Sequence, residues 1–520
     1  MYWGTVAIAC LTVVLGCDGA RILGLAAFSM RSHWIVMEPL FQKLAAVGHN
    51  VTVFSSFPQK TPLPNYKDID FSDRMKPIVD TFTFDMIKTT LPSPWVATFF
   101  FNSSHGSSCK LLDEPEYKDL LRAKDNYDII ITEVFGNDCF AYYAYKLGIP
   151  MISITTGMAV PWAAERVGLP DNPSYILNYL MKSGSQMNLW DRIYNTITLV
   201  YAKFWHLYVF NQQTRAIVER SFGEHLPPLN DVLANYTSMY FINSYHALLQ
   251  SRPFPPNVVE IGGIHIKEKQ PLAKDLQELL DNAKNGAIVM SFGSLVRTCT
   301  LPKHVIRMFM NVFSRIPQIV ILKYEEDFPE APKNVIMRKW LSQRDLIEHE
   351  NVVAVIAHGG LSSTIEVVNF GKPMIGIPFF TDQFRNVKLV EEKGACIYLD
   401  IDDISEEKIA EAISEIVYNT KYRDNMRRLS LQFRDRPMTA LQSAVYWTEY
   451  VIRHHGAPHL QPASVHLPFY QYLLLDVIAV LIIGFVTIIY TVYFIISLLL
   501  AALKHKNHNK RERTSTKKKN

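Results

Sequence analysis

One stretch of the chain combines residue types that bind anions. Residues 351–357 form an almost continuous apolar, β-branched run, which predicts a strand buried on both faces. His358, Gly359 and Gly360 follow, and a Ser/Thr-rich segment with helical spacing begins at Ser362. In such an arrangement, free backbone N–H groups and the helix dipole point at one spot. The stretch therefore predicts an anion site, to which His358 adds a side-chain donor.

The next predicted strand brings more polar groups to the same place. Residues 373–379 are mostly apolar, and Thr381, Asp382 and Gln383 follow closely. Ligands of open α/β sheets bind at the carboxyl ends of the strands. We therefore expect these three side chains beside the anion site.

A histidine near the N-terminus stands at a similar position. Residues 21–28 and 51–56 read as strands, and the periodicity of 34–47 predicts a helix between them. His33 lies at the turn from the first strand into this helix. Histidine titrates near neutral pH, so a histidine at a ligand-binding edge can act as a general base. A water-exposed histidine at a helix start is the plainer interpretation of this residue alone.

Composition and charge place the chain in a broad class. It has 520 residues, of which 48% are hydrophobic and 20% charged, as in a two-domain globular protein with membrane segments. The net charge of +4 comes from the basic end of the chain, and the remainder is slightly acidic. This distribution excludes a nucleic-acid footprint. The cysteines beyond the N-terminal segment show no metal-binding spacing, and their pairing stays open; they are Cys109, Cys139, Cys299 and Cys396.

Composition shifts divide the chain into segments. An apolar N-terminal run predicts a secretory leader. A stretch of 27 residues without a charge is long enough to span a bilayer. The predicted segments are a leader (1–20), a first α/β domain (21–250), a linker region (251–285), a second α/β domain (286–455), a juxtamembrane segment (456–476), a membrane span (477–503) and a basic tail (504–520).

The flanks of the predicted span indicate topology. The basic tail marks the cytosolic side of the membrane, which places the main body in the lumen as a type I protein. Lys517 and Lys518 stand fourth and third from the end and read as a dilysine retrieval signal. We therefore expect residence in the endoplasmic reticulum membrane. Glycosylation sequons begin at Asn50, Asn102 and Asn235, and Asn50 is the least favoured because it opens a predicted strand.

The 44 residues from Trp340 to Gln383 carry a longer pattern. They resemble the signature of the UDP-glycosyltransferases, which reads W-x-P-Q, H-x-G-x-x-S with a later Glu, and D-Q. One departure is Ser342, which stands where the family has proline. The resemblance extends over the whole chain. It implies an α/β protein with two Rossmann-like domains facing a cleft, the GT-B arrangement, with one C-terminal transmembrane helix.

The resemblance also implies roles for donor-binding residues. Trp340 stacks on uracil, and Gln343 bonds to the uridine end of the nucleotide. Glu366 accepts hydrogen bonds from the ribose hydroxyls, and Asp382 and Gln383 bind the transferred sugar. Two glycine turns are assigned to the diphosphate and the adjoining nucleotide. The turn after residue 357 contributes His358, Gly360, Ser362 and Ser363, and an earlier turn contributes Ser291 and Gly293.

For catalysis, the family places a general base at the first strand-to-helix turn, which is His33 here. A carboxylate should orient it and stabilise its protonated form. Residues 127–131 predict the next strand, with Glu133 at its end and Asp138 in the turn beyond. The shorter Asp138 is narrowly preferred, because a short side chain holds the imidazole more firmly. Glu133 is its rival, and Asp138 also suits a helix N-cap.

The implied reaction transfers glucose or glucuronic acid from a UDP-sugar to hydroxyl groups of small lipophilic acceptors, as in detoxification. It inverts the anomeric centre and needs no metal and no cofactor. Two aromatic-rich segments, 82–101 and 163–210, predict an acceptor lid, a membrane-surface helix or ordinary core. The alternatives are a glycosyltransferase with lipid or protein acceptors and a non-catalytic ligand-binding membrane protein. Homo-oligomerisation stays open. Asp400 and Asp402 form an Asp-x-Asp sequence that reads as a solvated turn rather than a metal site.

Overall fold

Apolar runs that alternate with amphipathic segments fold into two parallel sheets covered by helices. The computed structural model describes residues 19–90, 108–122, 126–179 and 181–516. The chain divides into two compact units, one ending at Pro462 and the other beginning at Ala463. Both sheets belong to the first unit, and the predicted α/β class is confirmed.

The first sheet contains seven parallel strands in the order β3-β2-β1-β4-β5-β6-β7. Its central strands are almost wholly buried because helices cover both faces. The strands are β1 (Arg21–Ala26), β2 (Asn50–Ser55), β3 (Tyr66–Asp70), β4 (Ile129–Glu133), β5 (Met151–Thr155), β6 (Thr237–Ile242) and β7 (Val258–Glu260). The helices are α1 (Arg31–Ala46), α2 (Phe84–Thr90), α3 (Pro115–Leu120), α4 (Ala141–Leu147), α5 (Pro161–Ala164), α6 (Leu189–Trp205), which continues into a π-helical turn (His206–Phe210), α7 (Asn211–Phe222) and α8 (Leu229–Tyr236).

The second sheet contains six parallel strands in the order β10-β9-β8-β11-β12-β13. The strands are β8 (Ala287–Ser291), β9 (Ile319–Lys323), β10 (Val335–Arg338), β11 (Val352–Ala357), β12 (Met374–Gly376) and β13 (Cys396–Tyr398). The helices are α9 (Lys274–Asp281), α10 (Lys303–Phe313), α11 (Gln343–Glu348), α12 (Leu361–Asn369), α13 (Gln383–Glu392), α14 (Glu406–Tyr418) and α15 (Thr420–Arg434).

In each sheet the strand order reverses between two neighbouring central strands. These neighbours are β1 and β4 in the first sheet and β8 and β11 in the second. Leu25 pairs with Thr132, and Ser291 pairs with Ala357. A crevice for ligands opens beyond the carboxyl ends of strands at such a reversal. The fold therefore brings the residues that follow these four strands to two crevices.

Strand β4 ends later than the sequence predicts. The predicted strand covers 127–131, whereas β4 runs from Ile129 to Glu133. Thr132 still pairs with β1, and Glu133 pairs with Ile154 of β5. Glu133 is therefore the last residue of a buried central strand.

One helix from the end of the predicted second domain packs on the first. Helix α16 (Ala440–Arg453) contacts α1 and buries Ala444 and Val451 in the core beneath the first sheet. The Glu449 carboxylate lies 3.4 Å from Nε2 of His49. The predicted second domain, 286–455, thus ends in a segment that ties the two domains together.

A disulfide settles the pairing that the sequence left open. Cys109 and Cys139 are bonded and join two short 3-10 segments beside the first sheet. Cys299 and Cys396 are free thiols. Among the sequon residues, Asn50 and Asn235 are exposed, whereas Asn102 lies outside the described residues.

The second unit is helical. Its helices are α17 (Phe469–Tyr472) and α18 (Leu475–Thr516). The segment Leu475–Arg511 is long and apolar enough to cross a membrane, since an 18-residue window within it has a mean hydropathy of 2.6, and it contains the predicted span 477–503. Most of the predicted leader and the two lysines of the dilysine sequence, Lys517 and Lys518, lie outside the described residues.

Candidate active site

His33 lies at the start of α1, where the chain leaves β1. Its side chain is 17% exposed, and its ring makes edge contacts with Phe28 and Phe135 at 4.7 and 5.4 Å between centroids. Nδ1 contacts the Glu133 carboxylate. A carboxylate that accepts the Nδ1 proton fixes the tautomer in which Nε2 carries the free lone pair.

Thr156 completes this group. Its hydroxyl lies 3.0 Å from Oε1 of Glu133 and 2.9 Å from Nδ1 of His33. Glu133 and Thr156 are both buried, so the polar contacts among the three side chains are shielded from water. Sequence reasoning missed Thr156. The signal was its place directly after β5, which neighbours β4 in the sheet.

The narrow preference for Asp138 as the partner of His33 is wrong. Asp138 is buried five residues beyond the strand end, where Arg166 donates two hydrogen bonds to its carboxylate at 2.8 and 2.7 Å. Nε2 of His206 lies 3.2 Å from the same carboxylate. Burial alone would raise the pKa of Asp138, but the charge of Arg166 holds that pKa well below its usual range. Asp138 is therefore one member of a separate buried ion pair. Glu133 instead reaches His33 because β4 adjoins β1.

A single cavity of about 400 Å³ joins the two crevices. His33 lines it from the first domain, and Glu133 lies behind His33. Every donor-binding residue predicted from the sequence also lines this cavity; these are Ser291, Gly293, Trp340, Gln343, His358, Gly360, Ser362, Ser363, Glu366, Asp382 and Gln383.

His358 is held between two glycines. A Cβ on Gly293 would lie 2.7 Å from Cε1 of His358, and one on Gly360 would lie 2.5 Å from Nε2. Only glycine therefore leaves room for the imidazole between the two turns. Burial, aided by the charge of Lys323, lowers the pKa of His358 to about 4. The ring is neutral at physiological pH and can donate one hydrogen bond.

Gln343, Ser363 and Glu366 form one hydrogen-bonded group. The Gln343 amide nitrogen donates to Oγ of Ser363 at 2.8 Å and to Oε2 of Glu366 at 2.7 Å. Burial raises the pKa of Glu366 to about 7. Nε2 of the buried His265 lies 3.2 Å from the Ser362 carbonyl oxygen, beside this group. Because the Gln343 amide nitrogen donates to both Ser363 and Glu366, its hydrogen-bond donors are occupied by the protein.

Trp340 is 53% exposed and lies three residues before the start of α11. Ser342, which departs from the family pattern, occupies the N-cap position of this helix with a φ of −74°. Proline fixes φ near −65°, so the serine preserves the backbone angle that proline would impose. The loop around Trp340 therefore keeps this backbone geometry without a proline ring at position 342.

Asp382 and Gln383 begin α13. The Asp382 carboxylate accepts hydrogen bonds from Asn386 at 2.8 Å and from Thr381 at 3.1 Å. The carbonyl oxygen of the Gln383 side chain accepts from the backbone N–H groups of Phe379 and Phe380. Both side chains are therefore anchored at the cavity wall by neighbouring residues.

Lys323 is a second cavity residue that sequence reasoning missed. It ends β9, is only 3% exposed, and contacts Asp80 from the first domain and Glu325 at 3.0 Å. Its ammonium nitrogen lies 5.8 Å from the centroid of the Trp340 ring. Its position at the end of a strand beside β8 was the available signal.

The Asp-x-Asp sequence lies apart from this cavity. Asp400 accepts the backbone N–H of Asp402 at 3.0 Å, and the Asp402 side chain is 68% exposed and contacts Lys88. Across the part of the chain that the structure describes, no cluster of three or more His, Cys, Asp and Glu side chains could hold a metal ion.

Solved structures with the same architecture define the class. One is a crystal structure of the glycotransferase of kitacinnamycin, with a TM-score of 0.56 and 15% identity; it covers 84% of this chain and 100% of that one. Another is the spinosyn forosaminyltransferase SpnP, with a TM-score of 0.55 and 15% identity, covering 84% of this chain and 99% of that one. The fold is the GT-B fold of glycosyltransferases.

Sequence comparison then gives the family. The model for UDP-glucoronosyl and UDP-glucosyl transferases matches residues 25–511. UDP-glucosyltransferase 2 of Dactylopius coccus is 39% identical over 487 residues, which are 93% of this chain and 94% of that protein. UDP-glucuronosyltransferase 1A7 of Rattus norvegicus is 29% identical over 479 residues, which are 89% and 88% of the two chains. The chain belongs to this UDP-glycosyltransferase family, and it is a glycosyltransferase.

Proposed function

We propose that this enzyme transfers glucose or glucuronic acid from a UDP-sugar to a hydroxyl group of small lipophilic acceptors, with inversion at the anomeric carbon. One observation carries the proposal. His33 of the first domain and the eleven donor-binding residues of the second line the same cavity. A base and a donor site in one cavity are what a direct transfer between two bound substrates requires.

His33 is the general base of the proposed mechanism. Its Nδ1 contacts Glu133, so Nε2 accepts the proton of the acceptor hydroxyl. The acceptor oxygen then attacks the anomeric carbon as the bond to UDP breaks. Glu133 stabilises the imidazolium that forms, and Thr156 holds the carboxylate in place.

The departing diphosphate is stabilised by protein groups. His358 donates one hydrogen bond as a neutral imidazole, and the free N–H groups at the start of α12 add their dipole. Lys323 supplies a positive charge beside His358. These groups meet the charge that develops on the leaving oxygen, and we propose that neither a metal nor a cofactor takes part.

The remaining contacts select the donor. Trp340 stacks on uracil, and the side-chain carbonyl of Gln343 faces the uridine. Glu366 accepts from the ribose hydroxyls. Asp382 and Gln383 bind the sugar; among the described residues the amide nitrogen of Gln383 has no hydrogen-bond partner in the protein, which leaves it for a sugar hydroxyl.

We further propose that Leu475–Arg511 anchors the enzyme in the endoplasmic reticulum membrane with its main body in the lumen. The length and hydropathy of this helix and the basic residues that follow support the assignment. In sealed microsomes, external protease should remove only the tail. Digestion of the main body without detergent would contradict this topology.

The activity is tested by incubating microsomes that contain the full-length chain with UDP-glucose or UDP-glucuronate and a simple phenol. Mass spectrometry should show the phenol plus one hexosyl or hexuronosyl group. Microsomes that contain His33→Ala serve as the matched control. The proposal would be contradicted if neither the phenol nor any of a panel of larger lipophilic alcohols were modified with either donor.

A further inference from the structure

One segment crosses from the first domain to the second and packs on both. Residues 261–270 follow directly after β7, and we call them the crossover segment. Ile264 packs in the core beneath the first sheet, whereas Ile266 packs against the apolar cluster that contains Ile365 of α12. His265 lies between the two isoleucines, at the point where the chain passes from one core to the other.

Polar contacts tie the crossover segment to helices that carry the site. Lys267 pairs with Glu38 of α1 at 2.9 Å, and α1 carries His33 in its first turn. The backbone N–H of Gln270 donates at 3.1 Å to Oδ1 of Asp345 in α11, and Asp345 lines the donor cavity. The crossover segment is therefore attached both to the helix of the proposed base and to a helix beside the donor.

His265 reaches α12 from the crossover segment. Its side chain is 2% exposed, and its Nε2 lies 3.2 Å from the Ser362 carbonyl oxygen and 3.9 Å from Oε1 of Glu366. Burial lowers the pKa of His265 to about 4, so the ring is neutral at physiological pH and carries one N–H. A carbonyl oxygen can only accept, so this N–H is on Nε2 and donates to α12.

The two oxygens near Nε2 lie one helical turn apart on the same side of α12. Ser362 and Glu366 both line the donor cavity, and the Gln343 amide holds Oε2 of Glu366 at 2.7 Å. His265 near Oε1 and Gln343 on Oε2 therefore hold the Glu366 carboxylate from two sides. A carboxylate fixed in this way presents its remaining acceptor sites in one direction, which favours binding of the ribose hydroxyls.

Stability alone does not account for this histidine. Among the described residues, the buried Nδ1 of His265 has no hydrogen-bond partner, and an unsatisfied buried acceptor costs free energy. The Ser362 carbonyl does not depend on the imidazole either, because within α12 it accepts the N–H of the residue four positions later. An apolar side chain of similar size would therefore suit the fold, whereas the imidazole suits the donor site.

We propose that His265 is a positioning residue of the donor site, which holds the first turns of α12 and the Glu366 carboxylate in place for the nucleotide of the UDP-sugar. It acts through Ser362 and Glu366 and lies behind them, outside the set of residues that line the cavity. This role rests on the proposed function, which assigns the nucleotide to α12, but it concerns a residue of the crossover segment and can fail separately.

Two substitutions separate the N–H of His265 from the space that the ring fills. His265→Gln keeps a donor, because the glutamine amide nitrogen is as many bonds from Cβ as Nε2 is. His265→Leu fills similar space without a donor. His349→Leu is the matched control, because His349 is also buried in the second domain and lies 3.1 Å from Asp281, but it does not line the cavity. The full-length proteins are compared by calorimetric titration with UDP, steady-state kinetics and thermal unfolding.

His265→Leu should raise the Kd for UDP about threefold to tenfold, the effect of one hydrogen bond, with a similar rise in KM for the UDP-sugar. Its kcat and Tm should stay near the wild-type values, and His265→Gln should recover most of the affinity. His349→Leu should leave the Kd unchanged.

A wild-type Kd in His265→Leu, or a loss of affinity that His265→Gln does not recover, would overturn the role of His265. A lower kcat and Tm with an unchanged Kd would also overturn it and would show that the imidazole serves the fold. Wild-type protein that binds no UDP would overturn the proposed function itself, on which this role rests.

Discussion

Glu133 and His33 meet across the boundary between two neighbouring strands. The Glu133 carboxylate contacts Nδ1 of His33; Glu133 ends β4, His33 follows β1, and these two strands adjoin at the reversal of the first sheet. The contact orients the imidazole toward the cavity that holds the predicted donor residues. The first sheet thus aligns the base with its carboxylate, and the base faces the donor residues of the second domain across one cavity.

The two carboxylates that sequence reasoning weighed should behave differently when neutralised. Glu133→Gln removes the charge that stabilises the imidazolium, so kcat should fall by about 10² or more with little change in Tm. Asp138→Asn should mainly destabilise the fold, since breaking a buried ion pair costs about 3–5 kcal/mol. Steady-state kinetics and thermal unfolding of both variants check this. A normal kcat in Glu133→Gln would return the role to another residue.

Thr156 should contribute through its hydroxyl alone. Thr156→Val keeps the shape of the side chain but removes its hydrogen bonds to Glu133 and His33. A hydrogen bond is worth about 0.5–1.5 kcal/mol, so kcat should fall about threefold to tenfold. Thr156→Ser restores a hydroxyl and should recover most of the rate. Equal kcat in the valine and serine variants would show that the hydroxyl plays no part.

Gly360→Ala should weaken UDP binding by crowding His358. The added Cβ would lie 2.5 Å from Nε2, which forces the imidazole out of place. Overpacking of this size costs about 1–3 kcal/mol, so the Kd for UDP should rise roughly tenfold. Gly157→Ala is the control, because among the described residues its Cβ would meet only Tyr179, at an ordinary 3.5 Å. Calorimetric titration with UDP compares the two. Similar Kd values for both variants would contradict the crowding argument.

Glu366 should make the enzyme less stable as pH rises. Its pKa is raised by burial from 4.5 to about 7, so the folded state binds the proton more tightly than the unfolded state. This contribution to stability is present below pH 4.5 and is lost as pH rises through about 7. By the linkage of pKa to free energy, its size is on the order of 3 kcal/mol.

The Glu366→Gln variant tests this sign. It should flatten the fall of Tm between pH 4.5 and about 7. Glu350→Gln, at an exposed position, should leave the fall unchanged. A decline of the same slope in Glu366→Gln and wild type would show that another group is responsible.

Much of the fold follows from local pattern. The buried strands β1, β5, β8 and β11 consist mainly of apolar residues, and glycine or polar residues lie at or just after their ends. The donor residues follow from the same logic, because strand ends of a parallel sheet share one edge. These features depend on short segments whose chemistry is visible in the sequence.

The sequence pattern could not show which side chains contact each other between neighbouring strands. The choice between Glu133 and Asp138 depended on where β4 ends, and β4 continues two residues beyond its predicted end. The partner of Asp138, Arg166, comes from a different element. Likewise, Lys323 contacts Asp80 only because the two domains dock. Such contacts depend on tertiary packing, which a single sequence does not display.

The role of His33 is tested most directly by measuring transfer and donor binding in one variant. His33→Ala removes the base but leaves the donor site in the other domain intact. Turnover should fall by about 10² to 10⁴, the range for positioned acid–base catalysis, while the Kd for UDP stays near the wild-type value. A variant that retains more than about a tenth of wild-type turnover would contradict the account.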